Sequence, residues 1–478
     1  MDGDEKNATI NSPAADMVVV MVPFVAHGHL NQLLHLSRLI STYKIPIHFV
    51  TTTTHIRQVR SRFHDLTHFS THAAASYLIH FHELPTPPFT SPHPNPSSRF
   101  PSHLQPAFES TLHLRRPVAD LILSLSSSTP RVTVIHDFLM SYVVQDVKAI
   151  PNAETYIFRP LSAFHTFCWQ TGERLKRPFP IDPVTLKRLP SNDGSFAPEF
   201  IEFIKQQLPH VGFHVGELYD SSRSIEGEYL EYLEREGLKV NKKLWAIGPF
   251  NHVDKTSFTV SKNHHKCLQW LDLQPPTSVV YVSFGTTTSF TDEQITELAI
   301  GLERSQQRFI WVARASDKGD VFGDEAKVVD LPEGFEERVE GRGMVLRGWA
   351  PQTEILGHVA TGGFMTHCGW NSCTESISRG IPMATWPMHS DQPRNALLIT
   401  DVLRIGLVVN DWEHRDELVK SVVVEDVVRR LMDSKEGEEV RKRAVELADT
   451  VKKSVAEGGE TSKETDSFIS YISRHAYG

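Results

Sequence analysis

Cysteine is scarce in this chain. Its 478 residues contain four, Cys168, Cys267, Cys368 and Cys373, with no CxxC pair. That excludes a disulfide framework and reads as free thiols in a reducing compartment. Long apolar runs are missing too: no stretch of about 18 apolar residues occurs, so no stable membrane insertion is expected. Positive charge is not in surplus. The 49 Lys and Arg face 58 Asp and Glu, a formal net charge of -9, which argues against a partner in nucleic acid or an anionic membrane. The opening MDGDEKNATINSPAAD is polar and acidic, unlike a signal or transit peptide. The expectation is a cytoplasmic protein, monomeric by default.

What is present is a repeated strand–helix alternation. Met17–Phe24 is a continuous apolar run, the pattern of a parallel strand buried on both faces. A short loop, Val25 to Gly28, leads to leucines at 30, 33, 34, 36 and 39 in helical spacing, and Ile45–Thr53 reads as the next strand. A helix near 109–125 and the strand Val132–Ile135 continue the series. Six prolines between Pro85 and Pro96 mark a loop. A second series begins at Ser278–Ser283, followed by Thr291 and Gln294 in capping-box spacing. Phe309–Val312 and Met344–Leu346 supply further strands. The stretch 248–265 has no periodicity and reads as a linker. The fold class is therefore α/β, two doubly wound domains at 17–247 and 266–455 behind a disordered 1–16, with the site in the cleft between them.

The segment Trp349–Gln392 carries the parts of a nucleoside-diphosphate site. Trp349 follows a strand, where its flat ring can stack on a base. The turn His367-Cys368-Gly369-Trp370 leads to Asn371-Ser372 at a helix start, where backbone N–H groups and the helix dipole attract phosphate. Glu375 lies one turn further and can accept from ribose hydroxyls, and Asp391-Gln392 can bond sugar hydroxyls. Singly, each has a plainer reading: Trp349 as core, Asn371-Ser372 as a helix cap, Glu375 as a solvated charge. Their joint order and spacing favour the site.

This segment, with its WAPQ opening, HCGWNS centre and DQ end, resembles the signature box of plant UDP-dependent glycosyltransferases. GHLNQLLHLSRLIS at 28–41, HDFLMSYVVQD at 136–146 and VSFGTTTSFTDEQI at 282–295 look most like the zeatin O-glycosyltransferase subgroup. The resemblance implies a GT-B architecture of two facing Rossmann-like domains, with a C-terminal helix at 456–478 crossing back to the first. It implies UDP-glucose as donor substrate, no cofactor and a small-molecule acceptor. Trp349 would stack the uracil beside the Ala350 backbone, with Gln352 and Glu375 on the ribose. His367, Gly369, Asn371 and Ser372 would hold the diphosphate with a hydroxyl of the Gly285-Thr286-Thr287-Thr288 turn, Thr286 or Thr288. Trp370, Asp391 and Gln392 would contact the sugar. A final glutamine is similar to glucose users, although the subgroup includes a xylose user. Metal-dependent glycosyltransferases hold their ion with Asp-x-Asp; the triplet here is Asp2-Gly3-Asp4 in the terminus, so no metal is expected.

His29 and Asp137 form the second constellation. His29 lies at the start of the first helix, where the dipole favours the neutral imidazole a general base needs. Asp137 follows a parallel strand and can fix the tautomer through the far nitrogen. The resemblance matches both to the family's His–Asp dyad. Neighbouring His136 is expected to point outward, as a structural residue. Acceptor-pocket candidates are Phe24, His27, Phe138, Met140, Phe158, Phe164, Phe203 and His389, with plain core packing as the other reading for the aromatic ones. The expected reaction is an inverting transfer of glucose to a hydroxyl of a cytokinin, flavonoid, terpenoid or steroid. The rivals are a binding protein of the same fold that has lost catalysis, and a dinucleotide oxidoreductase. The latter is disfavoured because AHGHLNQ, not GxGxxG, follows the first strand.

Overall fold

The structure, a computed structural model, describes residues 16–60, 78–171, 181–250, 265–314 and 329–474. The expectations for the N-terminal segment and for most of 248–265 fall outside these residues.

Two parallel sheets organise the chain. The first contains β1 (Met17–Val22), β2 (Ile47–Thr52), β3 (Ile79–Leu84), β4 (Arg131–Asp137), β5 (Ala153–Arg159), β6 (Gly216–Tyr219) and β7 (Lys243–Ala246), in the order β3-β2-β1-β4-β5-β6-β7. The second contains β8 (Val279–Ser283), β9 (Arg308–Val312), β10 (Gly343–Leu346), β11 (Thr361–Thr366), β12 (Met383–Thr385) and β13 (Gly406–Val408), in the order β10-β9-β8-β11-β12-β13. Strands β1 and β11 are buried along their whole length, because helices cover both faces of each sheet. The strand order reverses between β1 and β4 and between β8 and β11. In such sheets the crevice beyond the carboxyl ends at the switch point is where ligands bind.

The helix His27–Ser41 follows β1 and buries Leu30, Leu33, Leu34 and Leu36. It begins at His27, so the expected loop is shorter than the sequence suggested. His136 does not point outward: β4 is buried on both faces, and its ring bonds the Asp137 carbonyl at 2.9 Å. The capping box at Thr291 is half formed. Thr291 Oγ1 accepts the Gln294 N–H at 3.3 Å, but the Gln294 side chain turns away to Val419, whose backbone it meets at 2.9 and 3.0 Å.

One core cluster is shared by the two sheets. It contains Phe164, Phe167 and Tyr229 from the first region with Cys368, Trp370 and Ala396 from the second. The helix Glu460–Ile472 lies on the first sheet, where the Phe468 ring meets Tyr156 and Trp245 at 5.5 and 5.2 Å. Its Glu464 accepts the Ala246 N–H at 2.7 Å. No helix among the described residues is long and apolar enough to cross a membrane, and all four cysteines are buried and free.

Candidate active site

Strands β1 and β4 pair in parallel with Val22 beside His136. That register brings the first turn of the helix after β1 against the last residue of β4. His29 Nδ1 donates to Asp137 Oδ2 at 2.7 Å, while Asp137 Oδ1 accepts the Leu139 N–H at 2.8 Å. A carboxylate accepts only, so the imidazole proton belongs on Nδ1 and Nε2 keeps its lone pair. The Phe24 ring stands edge-on to the imidazole at 5.5 Å.

The protonation balance at His29 differs from the sequence-based expectation. Burial pulls the imidazole toward the neutral form, but the charge and hydrogen bond of Asp137, and then the charge of Asp391, outweigh it and raise its pKa. A carboxylate at 2.7 Å thus overrides the helix dipole.

Across the gap, the turn after β11 and the helix Trp370–Arg379 present the second half of the site. Asn371 Nδ2 donates to the Gly28 carbonyl at 3.0 Å, joining this helix to the residue before His29. The Trp370 indole is buried, and its N–H donates to the Asp220 carbonyl at 2.7 Å. Only the backbone of Trp370 therefore remains to meet a sugar. Gln352 Nε2 donates to Ser372 Oγ at 3.0 Å and to Glu375 Oε2 at 2.7 Å, and the Tyr281 hydroxyl donates to its Oε1 at 3.3 Å. Trp349 is 60% exposed, its ring edge-on to His265 at 6.4 Å. Ala350, partly buried, follows it.

The His367 ring sits between two glycines. A Cβ on Gly285 or Gly369 would approach its Nε2 to 2.8 or 2.6 Å, and Gly285 has φ +75°. Both positions therefore require glycine. Burial pushes His367 down to about 4 against the opposing pull of the Ser283 backbone. Burial, with His367 and His103 nearby, pushes His389 down to about 3. Both rings are neutral donors rather than cations. Among the described residues, Thr288 Oγ1 is a buried hydroxyl without a protein partner, whereas Thr287 Oγ1 lies 3.3 Å from His389. Gln392 Oε1 accepts the Met388 and His389 N–H groups at 2.9 and 3.0 Å, and its Nε2 lies 3.5 Å from both ring nitrogens of His389.

The acceptor-pocket candidates separate. Phe24, Met140 and Phe203 share one cluster, with Phe138 packed against it, and Phe24 lies 5.7 Å from Phe203. His27 is half-buried at the helix start and His389 is buried beside Phe100. Phe158 stacks on Phe250 at 6.0 Å and Phe164 meets Tyr229 at 5.0 Å, each in a different core cluster, because β5 and the helix Ala163–Thr171 turn them away from Phe24. Sequence reasoning missed Phe196 and Phe200. With Phe203 they form a stacked row at 5.8 and 5.9 Å along the helix Pro198–Gln207 and the residues before it. Their spacing, i, i+4 and i+7, was a readable signal. Asn395 and Ser162 were missed too, and no local pattern marks them.

A family model described as glycosyltransferase, N-terminal domain, matches residues 15–252, and one described as UDP-glucoronosyl and UDP-glucosyl transferase matches residues 250–414. The chain is 52% identical over 459 residues to a zeatin O-glucosyltransferase of Phaseolus lunatus, covering 96% of this chain and 97% of the relative. It is also 52% identical over 464 residues to a zeatin O-xylosyltransferase of Phaseolus vulgaris, covering 96% and 98%. Among solved structures it resembles a UGT transferase from Siraitia grosvenorii in complex with UDP, with a TM-score of 0.75 at 28% identity, covering 96% of this chain and 100% of the other.

Proposed function

The chain belongs to the UDP-dependent glycosyltransferases, and from that premise we propose that it moves glucose from UDP-glucose onto a hydroxyl of a zeatin-type cytokinin, giving a β-glucoside. As a member of the family it is an enzyme that uses a UDP-sugar as donor substrate and glycosylates an oxygen of a small metabolite.

The observation that carries the catalytic part is the 2.7 Å bond from His29 to Asp137, at the edge of the gap where Asn371 meets Gly28. In this reading His29 Nε2 takes the proton of the acceptor hydroxyl while Asp137 stabilises the imidazolium. The freed oxygen attacks the anomeric carbon from the face opposite UDP, and the bond to the diphosphate oxygen breaks. The charge growing on UDP meets the first N–H groups of the helix Trp370–Arg379, the Ser372 hydroxyl and neutral His367. Trp349 covers the uracil, Gln352 and Glu375 hold the ribose, and Asp391 with the Gln392 amide reads the sugar. The row Phe203, Phe200 and Phe196, with Phe24, forms an apolar wall suited to a flat acceptor. The cytoplasm as working compartment is supported by four buried free thiols.

UDP-xylose is the second reading for the donor, favoured by equal identity to a glucosyl- and a xylosyltransferase. The deciding experiment incubates the protein with trans-zeatin and either UDP-glucose or UDP-xylose, following product mass and the anomeric proton coupling. A β-glucoside formed faster than the xyloside supports the proposal. UDP binding without turnover across cytokinins, flavonoids, terpenoids and steroids would instead identify a binding protein.

A further inference from the structure

Asn395 is wholly buried on the helix Gln392–Leu397, and three side-chain bonds define it. Its Nδ2 donates to Asp391 Oδ2 at 2.7 Å and to the Cys368 carbonyl at 3.0 Å, and its Oδ1 accepts the Ser162 hydroxyl at 2.7 Å. The two Nδ2 partners are acceptors only, so the amide has a single orientation that satisfies all three bonds.

The three partners come from three separate parts of the enzyme. Asp391 belongs to the turn assigned to the sugar. Cys368 is the left-handed residue, φ 65°, of the turn that carries His367 and opens the helix Trp370–Arg379. Ser162 stands at the start of the helix Ala163–Thr171 in the first region, where its hydroxyl also accepts the His165 N–H at 3.0 Å. The Asp391 carboxylate has reason to need this partner. Burial pushes its pKa up, while Asn395 pulls it back toward the ionised form, and the charge of His29 adds to that pull.

We infer that Asn395 is a positioning residue for the donor sugar: it aims the Asp391 carboxylate at the sugar hydroxyls and ties that carboxylate to the diphosphate turn and, through Ser162, to the acceptor-side domain. The inference rests on the reading of Asp391 as a sugar contact. It makes sugar recognition depend on the docking of the two domains. One Asp391 oxygen is held by Asn395, and in this reading the other meets the sugar.

The test compares UDP-glucose with UDP, which lacks the sugar Asp391 would contact. Asn395→Ala, Ser162→Ala and Asp391→Ala are made in the full chain, with KM for UDP-glucose and kcat from steady-state rates and Kd for UDP by calorimetry. Asn395→Ala is expected to raise KM for UDP-glucose about 10–100-fold, the scale of a lost bond to a charged group, while UDP weakens several-fold at most. Ser162→Ala shifts KM in the same direction by less, and serves alone if Asn395→Ala does not fold. Equal weakening of UDP and UDP-glucose overturns the inference, as does an unchanged KM in both variants while Asp391→Ala raises it. An unchanged KM in Asp391→Ala brings down the sugar-contact reading and this inference together.

Discussion

Asn371 donates to the Gly28 carbonyl at 3.0 Å across the gap between the sheets. The helix start assigned to the leaving diphosphate is thereby hydrogen-bonded to the residue beside the candidate base. Donor and acceptor halves are registered by a bond from the motif itself, so small shifts of either half are felt at the reacting atoms.

His29→Ala is expected to lower kcat by about 10²–10⁴-fold, the usual scale for a general base, with UDP affinity retained. Steady-state rates beside UDP calorimetry check this. Near-normal turnover would remove His29 from the base role.

Asp137→Asn is expected to move the pH profile. The imidazole must be neutral to accept a proton, and its pKa in the native enzyme lies above 6.5. Activity therefore falls as pH drops through a value above 6.5. With the Asp137 charge gone, burial dominates and the acid limb shifts to lower pH. The rate at the plateau drops as well, because Nδ1 loses the acceptor that fixed the tautomer. A kcat/KM profile from pH 5 to 9 tests both, and an unshifted limb would separate Asp137 from the titrating group.

Thr288→Val is expected to weaken UDP binding about tenfold, as for one lost hydrogen bond, without lowering the melting temperature of the unliganded protein. A buried hydroxyl with no protein partner costs desolvation until a ligand meets it. Thr286→Val should leave UDP affinity unchanged. The reverse pattern would transfer the diphosphate contact to Thr286.

Trp349→Ala is expected to weaken UDP about 10–100-fold through lost base stacking. The side chain is mostly exposed, so the melting temperature should barely change. Loss of stability without loss of UDP affinity would make Trp349 a packing residue.

The α/β class was legible because its signals are local. The leucines of the first helix and the apolar runs of β1 and β8 state their periods within a few residues. Thr291 marked a real helix start for the same reason. The fate of Gln294 was not legible, because Val419, 125 residues away, offered it two backbone bonds in place of the cap.

The candidate site divides in the same way. The residue types of the Trp349–Gln392 segment and the pair His29 and Asp137 could be named from the chain alone. Which of their polar atoms are engaged within the protein could not. The Trp370 indole, the Gln392 carbonyl and the Asn371 amide each have partners set by how strands, turns and helices from distant parts of the chain meet. So does the shift of His29, where a close carboxylate competes with burial and the helix dipole. Sequence determined which groups exist and which local elements carry them, since propensity and periodicity act over a few residues. Only the tertiary structure decided which groups touch, because the Val22–His136 register and the docking of the two sheets bring together side chains more than a hundred residues apart.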